Sequence, residues 1–128
     1  MLHNLGTKSY VQSLLAPAAR TSSANGTGFD LQGSNDAEGE AIIILDSAAG
    51  TGTSPTLNVK LQDSADNSTF ADVSGATFAE VTGTASCTKI SVNTNDLRRY
   101  VRAVATIAGT TPSFTCAVSL VYSKKYGN

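Results

Sequence analysis

The chain has 128 residues, enough for one domain with a real core. Charged residues make up only 15%, against about 25% in an average globular protein, and Ser, Thr, Ala, Gly and Asn fill the difference. A formal net charge of -1 argues against a general nucleic-acid binder.

The first twenty-five residues read as an arm, domain 1-25. Thr7 to Leu15 carries Tyr10, Val11, Leu14 and Leu15, a spacing compatible with a short helix or a strand, and Pro17 limits any helix. Residues 18 to 28 read as extended chain turning at Asn25-Gly26, so the arm packs on the main body or on a neighbour. The domain proper is expected over 26-128.

Short strand-like runs follow, with turn signals between them. Phe29 to Leu31 is the first. Glu40 to Asp46 holds an unbroken Ala-Ile-Ile-Ile-Leu run, which predicts a strand covered on both faces. Ser47 to Pro55 reads as a Gly/Ser/Thr loop. Leu57 to Asp63 alternates strictly, placing Leu57, Val59 and Leu61 inward and Asn58, Lys60 and Gln62 outward. Ser64 to Ser68 is a turn, and Thr69 to Val73 and Ala76 to Val81 are two short segments about Ser74-Gly75. Thr88 to Val92 is a strand and Asn93 to Asp96 a polar turn. Leu97 to Ile107 and Ser113 to Ser123 are long strands, and the Gly109 to Pro112 turn between them predicts direct pairing. Seven to nine strands and no persuasive helix predict an all-β protein. The expected fold is an antiparallel β-sandwich, jelly-roll or immunoglobulin-like, with an extended N-terminal arm.

The charges are divided along the chain. Nine acids lie between Asp30 and Glu80, and only bases follow Asp96: Arg98, Arg99, Arg102, Lys124 and Lys125. Such a split orients a protein on a charged partner. On a strand Arg98, Tyr100 and Arg102 share one face, a cation–aromatic set suited to an acidic surface.

No enzymatic constellation is visible. His3 is the only histidine, so no Ser or Cys gains an obvious base. Cys87 and Cys116 are too few for a metal site, and strand phase points Cys116 inward and Cys87 outward as free thiols. Gly26-Thr-Gly28 and Gly50-Thr-Gly52 open no helix, so they read as turns rather than phosphate loops. Asp63 and Asp66 lie in a turn, where such carboxylates bond their own backbone. No signal peptide and no membrane-length apolar run is present, so synthesis in a cytoplasm is expected. No cofactor, metal, nucleic acid, membrane or small-molecule substrate is called for.

Three segments carry a resemblance. They are Leu15-Ala-Pro-Ala-Ala-Arg-Thr with Asn25-Gly-Thr-Gly-Phe-Asp-Leu-Gln-Gly33; Val59-Lys-Leu-Gln-Asp-Ser-Ala-Asp-Asn-Ser-Thr-Phe-Ala-Asp-Val73; and Arg99-Tyr-Val-Arg-Ala-Val104 with Ala108-Gly-Thr. In these, about a third of its length, the chain resembles small virion proteins of tailed bacteriophages and prophages of the capsid cement, or decoration, type. It departs from them at Asn95-Asp-Leu-Arg98, where relatives carry a Gly-Lys-Arg turn. The resemblance implies a structural protein on the capsid exterior, made in the host bacterial cytoplasm. It implies a homo-oligomer, a trimer, with the major capsid protein as partner. Other virion parts (head fibre, tail or head–tail connector component) are the alternative, then a carbohydrate-binding or host-adhesion module. The residues expected at a capsid or oligomer interface are Tyr10, Leu14, Leu15 and Arg20 in the arm, with Arg98, Arg102, Lys124 and Lys125.

Overall fold

The computed structural model describes residues 5–33 and 35–124. A single helical turn, Leu5–Lys8, precedes eight strands: β1 (Tyr10–Arg20), β2 (Ala24–Asn25), β3 (Phe29–Asp30), β4 (Ala37–Ser47), β5 (Thr51–Ser64), β6 (Ala71–Thr77), β7 (Ser86–Asn93) and β8 (Tyr100–Lys124). All pairings are antiparallel, and the fold is the expected β-sandwich.

β8 organises the molecule. Its second half runs between β1 and β4, with β7 beyond β4. Its first half runs between β5 and the short β2 and β3, with β6 beyond β5. One 25-residue strand is therefore central to both sheets. The hairpin expected at Gly109 to Pro112 is instead a bend within β8, and the halves on either side of it pair with other strands. The expected loop Ser47 to Pro55 is corrected likewise. β4 and β5 track β8 around the bend, with Ser47 opposite Cys116, Thr51 opposite Ser113 and Thr53 opposite Thr110.

The bend is built from irregular backbone. Gly52 and Gly109 have φ of 104° and 120°, and Ser54 and Thr111 have φ of 49° and 46°. Register shifts on β5 at Thr51/Thr53 and Thr53/Thr56 mark inserted residues that coil the ribbon, and Pro55 sits in this irregular stretch, where a missing donor costs least. A Cβ at Gly109 would come within 2.8 Å of the Ser54 carbonyl oxygen, so only glycine fits there.

The inward phase of β8 changes across the bend. Val101, Ala103 and Ala105 are buried before it, and Phe114, Cys116, Val118, Leu120 and Tyr122 after it. An added residue shifts a period-two pattern by one, so both halves face the same core. They meet Ala41, Ile43 and Leu45 of β4 and Leu57, Val59 and Leu61 of β5. Each fully buried Leu or Val contributes about 1.5–3 kcal/mol. Ile42 and Ile44 are only half-buried, so β4 is covered on one face, not two.

The expected arm packs on the sandwich, and it does so as strands along β8. Leu14 and Leu15 are 1% and 3% exposed. Two consecutive inward side chains contradict strand alternation, and the register shift between Ser13 and Leu15 accounts for them. Cys116 is buried and Cys87 exposed, as strand phase predicts.

Candidate docking surface

The bend places both ends of β8 at the same end of the sandwich. The Phe29 ring, on the sheet holding the first half, lies 5.5 Å from that of Tyr122 on the other sheet, and Tyr122 packs on Tyr10 at 5.7 Å. This open end carries a polar cleft of about 700 Å³ lined by Leu31, Gln32, Gly33, Asp36, Ala37, Glu38, Thr94, Asn95, Leu97 and Arg98. Its walls are pinned by backbone. Leu31 N–H donates to the Arg99 carbonyl and Ala37 N–H to the Leu31 carbonyl, both at 2.8 Å. Asn93 caps the 3₁₀ turn Thr94–Asp96, and the Thr94 hydroxyl donates to the Gly39 carbonyl at 2.9 Å.

The charge division of the sequence does not survive folding. Arg98 donates to Asp63 from its backbone N–H, from Nε and from Nη2, the last reaching both the Asp63 carboxylate (2.9 Å) and its carbonyl (2.7 Å). Arg99 makes a bidentate pair with Asp30 at 3.0 Å, and this guanidinium holds the Asp30 carboxyl below its usual range. Two of the late bases are thus neutralised by early acids, Arg98 by Asp63 and Arg99 by Asp30. Arg98 faces Asp63, and its charge is balanced within the chain. Arg99, which strand phase assigns to the opposite face, sits at the same rim.

Arg102 is different. It donates through Nε (3.0 Å) and Nη2 (2.8 Å) to the neutral Gln62 Oε1, and its guanidinium carbon lies 4.1 Å from the Phe70 ring centre. Gln62 in turn donates to Asp72 at 2.8 Å, beside the Lys60–Asp72 pair at 2.9 Å. Those two hydrogen bonds, the Gln62 one first, lower the Asp72 carboxyl. The row Lys60, Asp72, Gln62, Arg102 thus carries two cations to one anion, fixed on rigid strands. At the other sheet, Lys124 Nζ lies 4.5 Å over the Tyr10 ring, and Val11, 70% exposed, stands beside it on β1.

Of the residues expected at an interface, Arg98, Arg102, Tyr10 and Lys124 fall at or next to the open end. Leu14 and Leu15 are in the core and offer no surface. Arg20 lies apart, half-buried, donating from Nη2 to the Ala16 carbonyl at 2.7 Å, with its Nε buried and without a hydrogen-bond partner. Lys125 lies outside the described residues. Sequence reasoning missed Asp36, Glu38 and Thr94 as cleft residues. The acidic turn at Asn35-Asp36 gave no sign that the pairing of β4 with β7 would bring it across the cleft from the turn that precedes β8.

Among the described residues no group of three or more His, Cys, Asp or Glu side chains could hold a metal ion. Burial pushes the Cys116 thiol up, away from thiolate chemistry. Asp66 Oδ1 accepts from Ser64 Oγ and from the N–H groups of Ser68 and Thr69, the backbone-bonding role expected of it.

No protein-family model matches the chain, and no curated protein does. Solved structures do. The chain superposes along its whole length on 41% of the PBSX exported protein XepA, with a TM-score of 0.64 and 15% identity. It matches a structure of infectious bursal disease virus, Gx strain, with a TM-score of 0.60 and 14% identity, over 94% of this chain and 33% of that one. The SPBc2 prophage-derived protein YomS matches at a TM-score of 0.49 and 13% identity, over 89% and 93% of the two chains. At such identities the likeness is one of fold. The chain spans less than half the length of the first two proteins.

Proposed function

We propose that the protein is a structural component of a tailed-phage virion, a cement protein that binds the outer surface of the assembled capsid through its open end. The observation that carries the reading is the concentration of exposed charge and of the polar cleft at that end, on the β3–β4 and β7–β8 connections that hydrogen bonds pin to the sheets. Rigid, pre-ordered polar surfaces bind without a large ordering cost. Many weak copies on a symmetric shell then gain by multivalency. The sequence resemblance to cement proteins supports the same assignment, and the occurrence of this fold in a virus structure is consistent with it.

Co-sedimentation of the purified protein with capsids lacking it tests the proposal. Saturable binding to shells and none to free shell subunits is expected. Arg102→Glu with Lys124→Glu should lower occupancy while circular dichroism still reports the folded sandwich, at a modest loss of thermal stability from the Arg102 contacts. Binding to neither form of the capsid protein would overturn the assignment.

A second reading, that the protein is another virion part, is favoured by one observation: the fold makes up only 33–41% of two larger matched chains. Such a sandwich serves as a module of many assemblies. Copy number decides, since a shell-covering protein is present in hundreds and a connector in a ring of few.

A further inference from the structure

The sandwich has four edges, and three of them are blunted against strand addition. β1 carries two register shifts, Pro17 and Arg20. β2 and β3 are two residues each. β6 has a register shift in its pairing and Gly75 at a φ of 76°. Short, bulged or proline-bearing edges are how sheets avoid pairing with other chains.

β7 is long and unbroken, and its one blunting device is the charge of Lys89. It pairs with β4 without a break from Glu40↔Asn93 to Ser47↔Ser86, and among the described residues no strand pairs with its other side. Its sequence, SCTKISVN, holds no Pro or Gly and a single charge, Lys89. The core also runs out there. Leu120, Ile43 and Ile90 form one inward row across β8, β4 and β7, which Ile90 ends only partly buried, as does Val92 opposite Ala41 in the next row.

We propose that β7 pairs antiparallel with β7 of a second copy about a two-fold axis at Ile90. The choice of a second copy rests on self-complementarity. In this register Ile90 meets Ile90, Lys89 meets Ser91, Thr88 meets Val92 and Cys87 meets Asn93. The inward row then continues without interruption from one core into the other. Shifting by one step to centre on Lys89 sets like charges directly opposite, which disfavours that register. The pairing supplies ladder hydrogen bonds to an otherwise open edge and covers the exposed flank of Ile90 and Val92. It goes beyond the proposed capsid binding, because it uses the edge of β7, which runs from the bend end up to the cleft at the open end, and it gives a pair where the sequence resemblance implies a trimer.

Ser91 is exposed, so its substitution tests the register without touching the core. Sedimentation equilibrium of the full chain across the micromolar range should show a monomer–dimer equilibrium, with amide protection of Cys87 to Asn93 that rises with concentration. Ser91→Lys places a lysine against Lys89 twice per dimer and should weaken association about tenfold. Ser91→Glu places a carboxylate there and should hold or strengthen it. Circular dichroism and thermal melting of both variants at low concentration keep a folding defect separate. A strict monomer or a trimer would overturn the pair, and so would equal weakening by Lys and Glu.

Discussion

The two ends of the sandwich are opposites. The bend end, formed by residues 47–57 and 106–115, contains no charged residue and is held by glycines, bulges and the Phe114 side chain. The open end gathers Asp30, Asp36, Glu38, Asp63, Arg98, Arg99 and Lys124 around a polar cleft. The difference teaches that this chain separates its tasks. The bend end combines demanding backbone with plain side chains, while the open end, irregular too at Gly33, Asp36 and Gly39, adds varied polar and charged chemistry.

Substitutions should therefore act on stability at one end and on the proposed capsid binding at the other. The largest effect is expected for Phe114→Ala. That side chain is fully buried, and its loss should cost about 3–5 kcal/mol in denaturant unfolding. Gly109→Ala should cost about 2–3 kcal/mol, combining an unfavourable φ with a clash against the Ser54 carbonyl. Arg98→Ala should cost about 1–2 kcal/mol, because Arg98 is 45% exposed but its partner Asp63, 13% exposed, loses its side-chain donors. A larger loss would mean that the open end also carries the fold.

Acid sharpens the contrast further. Asp30, Asp66 and Asp72 all have carboxyls lowered in the folded chain. The folded state thus binds these protons less readily than the unfolded one. Their stabilisation is present above the ordinary carboxylate range and is lost as pH falls below about 4. Asp30→Asn should flatten that acid slope in thermal melts, while bend-end variants should shift stability at every pH and leave the slope alone. The smallest effect, of opposite sign, is expected for Thr111→Asn. A β-branched residue at a φ of 46° is strained, and asparagine should gain about 0.5 kcal/mol.

The strands themselves were legible, because Leu57, Val59 and Leu61 or Phe114, Cys116 and Val118 alternate cleanly. The bend was not. A hairpin and a bulged strand both use Gly, Thr and Pro, and both reverse the inward phase. What distinguishes them is the partner strand, which local sequence does not name. Leu14 and Leu15 hid the same way, since a bulge makes adjacent inward residues look like no strand at all. The charged residues of the open end were legible as charges but not as pairs. Asp63 and Arg98 are 35 positions apart, and only the register of β5 on β8 brings them together.

The central position of β8 has a consequence for how the molecule comes into being. Its residues are the last described part of the chain, yet β1 to β5 all depend on them for at least one ladder. During synthesis the earlier strands emerge with their shared neighbour still missing, and only the β4–β7 and β5–β6 pairings are open to them. Folding must wait for the final stretch and then close long loops in one step, which makes it slow and cooperative. A growing chain in this condition leaves β1, which emerges first and pairs only with β8, unpaired for longest, so the pace of translation and the supply of chaperones bear on yield.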